Sequence, residues 1–134
     1  MSFRTKALRS EESCIRFIVR IMKQHNYYVY IVTNPARTVL YIGVTNNLTQ
    51  RLYEHFLNRG NTTSFAGKNH CYNLLYYERY QYIDKAIMRE TQLKKWSRAK
   101  KIELIKTENE GMKFLNDEVC IQWPPHKDIE RRGN

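Results

Sequence analysis

A long apolar run is the first thing missing from these 134 residues. No stretch approaches the roughly 18–20 consecutive apolar residues that a membrane-spanning helix needs, which argues against a membrane partner. The apolar stretch at 15–22 is broken by Arg16 and Arg20, so the N-terminus does not read as a secretory signal. Cysteine is scarce as well. Cys14, Cys71 and Cys120 are far apart, odd in number and form no CxxC pair. Neither a disulfide framework nor a zinc site is expected, and a reducing cytoplasm is the simplest setting. Internal repeats and low-complexity segments are absent too.

Acidic residues are the other shortage: 13 Asp and Glu stand against 23 Lys and Arg, for a net charge of +10 and a pI near 9.7. Such a balance speaks of partners rather than of fold, and a polyanion such as nucleic acid is the natural one. The excess is concentrated. Residues 27–115 hold fourteen basic residues against seven acids, and 89–106 hold seven against two. This last stretch, with Lys94, Lys95, Arg98, Lys100 and Lys101, is the first candidate for a phosphate-facing surface. A merely solvated charged face is the plain alternative.

An apolar share of 42% supports a real core, and the length suits one domain. We read 1–26 as an N-terminal extension with a short helix, 27–115 as the domain and 116–134 as a loose tail. Residues 27–33 and 38–44 are β-branched and aromatic, and Asn34-Pro35-Ala36-Arg37 carries turn chemistry, so a hairpin is expected. If the turn closes between Thr33 and Thr38, Tyr30 lies opposite Tyr41 and Tyr28 opposite Gly43. Period-two alternation then sorts tyrosines onto one face and Val29, Ile31, Leu40 and Ile42 onto a core face. Asn46 or Asn47 caps a helix over 48–58, with Leu48, Leu52 and Phe56 in one row and Arg51 and His55 in the next. A loop over 59–71, a strand over 74–82, a helix over 85–97 capped by Asp84 and a helix over 100–107 complete the order.

Few of these residues carry chemistry alone. On a helical wheel Glu90 falls among Ile83, Ala86, Ile87 and Leu93. A carboxylate on such a stripe must be paired, protonated or bound to a cation. A salt bridge to Arg51, Arg79 or Lys94 is the structural reading. A lone carboxylate with waters and phosphate oxygens also suits Mg²⁺. Arg51 offers a planar, permanently charged fork for a phosphate, though most helical arginines are only solvated. His55 titrates near neutral pH, though a histidine beside an apolar row more often packs. Tyrosines mostly pack, and a phenol acts as a base at neutral pH only with help from a cation.

In order along the chain, these residues resemble the GIY-YIG nuclease superfamily, and its small single-domain bacterial members in particular. Tyr28-Val29-Tyr30 stands where the family has Gly-Ile-Tyr, and Tyr41-Ile42-Gly43 matches the second tripeptide. Residues 45–55 match the helix with its Arg and following His, here Arg51 and His55. Arg89-Glu90 followed by Leu93-Lys94-Lys95-Trp96 looks like the segment with the metal-binding glutamate. Asn109 corresponds to the asparagine near the end of the domain, with Glu110 in place of the proline that follows it. The resemblance implies a mixed α/β (α+β) domain with a central three-stranded antiparallel sheet flanked by helices. It implies an endonuclease hydrolysing phosphodiester bonds in DNA, with RNA left open, of low sequence specificity or directed by DNA structure, in repair or recombination. In that scheme Tyr30 helps activate the attacking water, Tyr41 supports the site by hydrogen bonding, and Arg51 stabilises charge on the phosphate. His55 assists positioning or proton transfer, and Glu90 holds Mg²⁺ or Mn²⁺. Lys94, Lys95, Arg98, Lys100, Lys101 and Asn109 would contact nucleic acid. The alternative is a binding module that keeps the fold with little activity. A further reading, a protein-interaction scaffold, predicts weak, salt-insensitive DNA binding.

Overall fold

The computed structural model describes residues 26–125. The expected N-terminal helix and the end of the chain lie outside that range. Three strands, β1 (Tyr27–Thr33), β2 (Leu40–Thr45) and β3 (Asn73–Tyr80), form an antiparallel sheet with β1 in the centre, in the order β2-β1-β3. Five helices accompany it: α1 (Leu48–Leu57), α2 (Phe65–Lys68), α3 (Ile83–Lys94), α4 (Arg98–Glu108) and α5 (Asn116–Val119). The mixed α/β architecture with a central three-stranded antiparallel sheet is therefore the one expected. Among the described residues no helix is long and apolar enough to cross a membrane.

The hairpin register differs from the expected one by two residues. Tyr30 faces Gly43 and Val32 faces Tyr41, while Tyr28 faces Thr45. The reason is Asn34, whose Oδ1 accepts from the backbone N–H of both Thr38 and Val39. Thr33 Oγ1 meanwhile donates to the Val39 carbonyl at 2.7 Å. These bonds hold 34–39 as a wider connection, with Arg37 at φ 59°. A shift of two keeps the parity of every side chain, so Tyr30 and Tyr41 still share a face, now on a diagonal.

Both faces of the sheet are covered, which the alternation did not reveal. On one, Val29, Ile31, Ile42 and Leu75 pack against Ala86 and Leu93 of α3 and Ile105 of α4. On the other, Tyr30, Val32 and Leu74 pack against Leu48 and Leu52 of α1 and Ala66 of α2. The tyrosine face is thus a second core rather than a solvent face. Helix starts follow capping chemistry. Asn47 accepts from Gln50 N–H, Ser64 from Gly67 N–H and Ser97 from Lys100 N–H. Asp84, by contrast, lies inside the first turn of α3, which begins after Tyr82 without a side-chain cap. An acid there still favours the positive end of the helix dipole.

Two asparagines finish the outer edge of β3. Asn116 Oδ1 accepts from Leu74 N–H, and its Nδ2 donates to the Tyr72 carbonyl. Asn109 Nδ2 donates to the Leu75 and Lys113 carbonyls while its Oδ1 accepts from Lys113 N–H. Both side chains are buried. They satisfy backbone groups that an edge strand would otherwise leave open. Residues 116–123 are consequently no loose tail. Trp123 stacks on Tyr53 and lies edge-on to Phe56, and Tyr53 donates to the Gln122 carbonyl.

Candidate active site

The site begins with a contact that only glycine permits. The Tyr30 side chain lies directly over Gly43 on the neighbouring strand. A Cβ at Gly43 would come within 2.4 Å of the Tyr30 hydroxyl and 2.6 Å of Cζ. Any larger residue would push the phenol out of its place. From α1, Arg51 and His55 project one turn apart toward the same hydroxyl. Arg51 Nε donates to Tyr30 Oη at 3.1 Å, and Tyr30 Oη lies 2.8 Å from His55 Nε2. With the proton of neutral His55 on Nδ1, Nε2 accepts from the phenol. The guanidinium donates to the phenol in turn, forming a connected chain of three groups.

Burial sets the protonation states in this chain. Tyr30 is fully buried, and desolvation pushes its phenol up to about 12, the Arg51 bond and charge opposing and the Glu90 carboxylate adding to the rise. Burial, followed by the charge of Arg51, pushes His55 down to about 4. At neutral pH Tyr30 therefore keeps its proton and His55 is uncharged. The unfolded histidine, at 6.5, takes up a proton before the folded one does. This contribution to stability is complete above about pH 6.5 and is lost as the pH falls toward 4, by up to about 3 kcal/mol. Urea denaturation across this range should show that loss, and His55→Gln should flatten it.

Tyr41 completes the cluster by ring contacts. Its ring centroid lies 5.4 Å from that of His55, 6.4 Å from Tyr30 and 6.3 Å from Phe65, on which it stacks. Its hydroxyl has no hydrogen bond among the described residues, and the residue is half-buried. Of the two phenols it is Tyr30, fully buried, that bonds Arg51 and His55. A cleft of about 210 Å³ opens beside Tyr41, Arg51 and His55 and is closed by Asn58, Asn61 and Phe65. The Arg51 guanidinium reaches it partly exposed, with Nη1 on Glu54 Oε1 at 3.1 Å.

Glu90 arrives from α3. Its side chain is 21% exposed, and its Oε2 pairs with the exposed Lys94 Nζ at 3.5 Å. Of the three partners considered from sequence, only Lys94 is used. Ile83 and Ile87, read as part of an apolar stripe around Glu90, are about half exposed. Glu90 therefore stands at the border of the core, partly exposed. Among the described residues no group of three His, Cys, Asp or Glu side chains is arranged to hold a metal. A single accessible carboxylate held only by a surface lysine fits a cation that keeps most of its waters, as Mg²⁺ does.

The remaining residues are spread out. Lys94, Lys95, Arg98 and Lys100 are exposed and Lys101 half-buried. Lys100 sits over the Trp96 ring at 4.1 Å, and Arg98 donates to the Arg37 carbonyl. Of these five, Lys94 alone pairs with Glu90. Asn109 does not fit the role of a nucleic-acid contact, because all its polar atoms are committed to backbone inside the core. Sequence reasoning missed Phe65 and the cleft beside it. An aromatic residue inside a run of Gly, Asn, Ser and Thr was the available signal.

Residues 26–103 match the family model of the GIY-YIG catalytic domain. A UPF0213 protein of Bacillus pumilus is 34% identical over 93 residues, covering 67% of this chain and 92% of the relative. A UPF0213 protein of Syntrophus aciditrophicus is 37% identical over 86 residues, covering 63% and 95%. One from Staphylococcus aureus is 32% identical over 81 residues, covering 60% and 95%. No solved structure matches the chain. The matched span contains the tyrosine pair, Arg51, His55 and Glu90, and the chain belongs to the GIY-YIG catalytic-domain family, with the nuclease-type function that membership indicates.

Proposed function

We propose that this protein is a divalent-metal-dependent endonuclease that hydrolyses phosphodiester bonds in DNA, directed by DNA structure or of low sequence specificity. A place in repair or recombination follows from such a substrate. The observation that carries this reading is the Arg51–Tyr30–His55 chain ending in an open cleft, and the partly exposed Glu90 carboxylate on α3 supplies a candidate metal ligand. Binding without chemistry would not call for a buried phenol joined to an arginine fork.

Each residue then has a role set by its surroundings. Tyr30, protonated and buried, holds the Arg51 fork by its oxygen, and His55 fixes the phenol from the other side. Arg51 Nη2 has no partner among the described residues, so it can receive a phosphate oxygen. The surface pair to Glu54 yields at little cost. Tyr41, with its unengaged hydroxyl beside the cleft, orients the attacking water. This exchanges the two tyrosine roles implied by the sequence resemblance, because a phenol without solvent access cannot meet a water. Glu90 would hold Mg²⁺ or Mn²⁺ together with waters and phosphate oxygens. When bound there, the metal supplies positive charge at the phosphate and its leaving oxygen. Lys94, Lys95, Arg98, Lys100 and Lys101 add sequence-independent attraction to the backbone.

The direct test is cleavage of labelled duplex, branched and single-stranded DNA with Mg²⁺ or Mn²⁺, with and without a chelator. Cleavage is expected only with metal, while binding persists in chelator and weakens steeply with salt. Metal-independent cleavage, or binding with no cleavage of any substrate, would overturn the reading.

A further inference from the structure

Phe65 is large, apolar and 55% exposed, at the start of a four-residue helix in an otherwise polar loop. Its ring stacks on Tyr41 at 6.3 Å and an interplanar angle of 24°. It lines the same cleft as Arg51 and His55. The loop that carries it is built tightly. Ser64 Oγ caps Gly67 N–H, Gly60 N–H donates to the Gly67 carbonyl at 2.8 Å, and Asn69 Nδ2 donates to the Phe65 carbonyl. A Cβ at Gly67 would strike the Asn61 and Asn58 carbonyl oxygens at 2.6 and 2.8 Å, so the backbone strands of the loop touch there. An exposed aromatic on a rigid support, beside a partly exposed guanidinium, is ready to stack a flat ligand that carries a phosphate.

We propose that Phe65 is a nucleobase-stacking residue: an unstacked base of the strand whose phosphate sits at Arg51 lies on its ring. The inference rests on the nucleic-acid reading above and narrows it, because a paired and stacked base has no free face to offer. The preferred substrate then carries an unpaired or readily flipped base next to the phosphate held by Arg51. A base on an aromatic ring is sequence-tolerant, since every base has a π-face. Tyr41, behind Phe65, extends the stack and couples base position to the hydroxyl that meets the water.

The test uses the full chain in chelator, so that binding is read without chemistry. A single-stranded 12-nucleotide DNA is titrated intact and with one abasic site moved through each position, against wild type, Phe65→Ala and Phe65→Trp. We expect Phe65→Ala to weaken binding of the intact strand roughly tenfold or more. Wild type should lose a similar factor at one abasic position, Phe65→Ala should lose little further there, and Phe65→Trp should restore the wild-type pattern. Equal affinity of wild type and Phe65→Ala, or the same abasic profile for both, would overturn the inference. Thermal melting of each variant separates misfolding from lost stacking, and Phe65→Trp carries the test if Phe65→Ala does not fold. The cleavage assay stays independent. Cleavage by wild type with an indifferent Phe65 sinks this proposal alone, whereas Phe65-dependent binding with no cleavage upholds it and sinks the nuclease.

Discussion

Glu90→Gln should lower cleavage by at least about a hundredfold while DNA affinity in chelator stays within a few-fold of wild type. The substitution keeps the shape of the side chain and removes its charge. Structurally little depends on that charge. Among the described residues the one ion pair it breaks is an i,i+4 surface pair with Lys94 at 3.5 Å, a contact of about 0.5 kcal/mol or less. A large loss of rate with an unchanged melting temperature would therefore point to the metal. Raising Mg²⁺ or Mn²⁺ should recover part of the rate, because a neutral amide still offers one oxygen ligand. Full activity in Glu90→Gln would remove Glu90 from the mechanism.

Arg51 should be as sensitive, and in a way that separates charge from shape. Arg51→Ala should cost about a hundred- to a thousandfold in kcat/KM, in the range of a lost electrostatic donor in an active site. Arg51→Lys keeps the charge but should recover only a minor part. A guanidinium donates through Nε to Tyr30 and through Nη1 to Glu54 while keeping Nη2 for phosphate. One ammonium at the end of a flexible stem cannot hold both the phenol and the phosphate. Both variants should also weaken binding, and Arg51→Ala should reduce the salt slope by about one counterion. A lysine variant with full activity would show that only charge is needed and that the Tyr30 bond is incidental.

Much of this was legible in the chain. The hairpin, the helix with Arg51 and His55 in one row, and the strand and two helices that follow were all readable. Local rules govern these features: β-branched and aromatic runs, turn chemistry at 34–37, and an asparagine cap at 46 or 47, which the structure places at Asn47. The pairing of Tyr30 with Tyr41 on one face survived a register error of two residues, because only parity matters to it. The register itself was not legible, since it depends on which backbone groups the Asn34 side chain claims.

Asn109 shows the reverse case. Its place in the motif suggested a surface contact, yet the side chain is turned into the edge of β3. A polar residue at a helix end gives no local sign of whether it meets solvent or an unpaired carbonyl 34 residues away.

By itself the sequence determined the family, the order of the main elements, the basic character and which side chains are candidates for the chemistry. Each of these is fixed by residue type and short-range spacing. Only the tertiary structure decided that Tyr30 is fully buried while Tyr41 is half-buried, and that an exposed Phe65 lines the same cleft as Arg51 and His55. It also decided that Gly43 makes room for the Tyr30 ring. These depend on contacts between segments far apart in the chain. Desolvation, which sets the protonation of Tyr30 and His55, exists only once both cores have closed over the sheet.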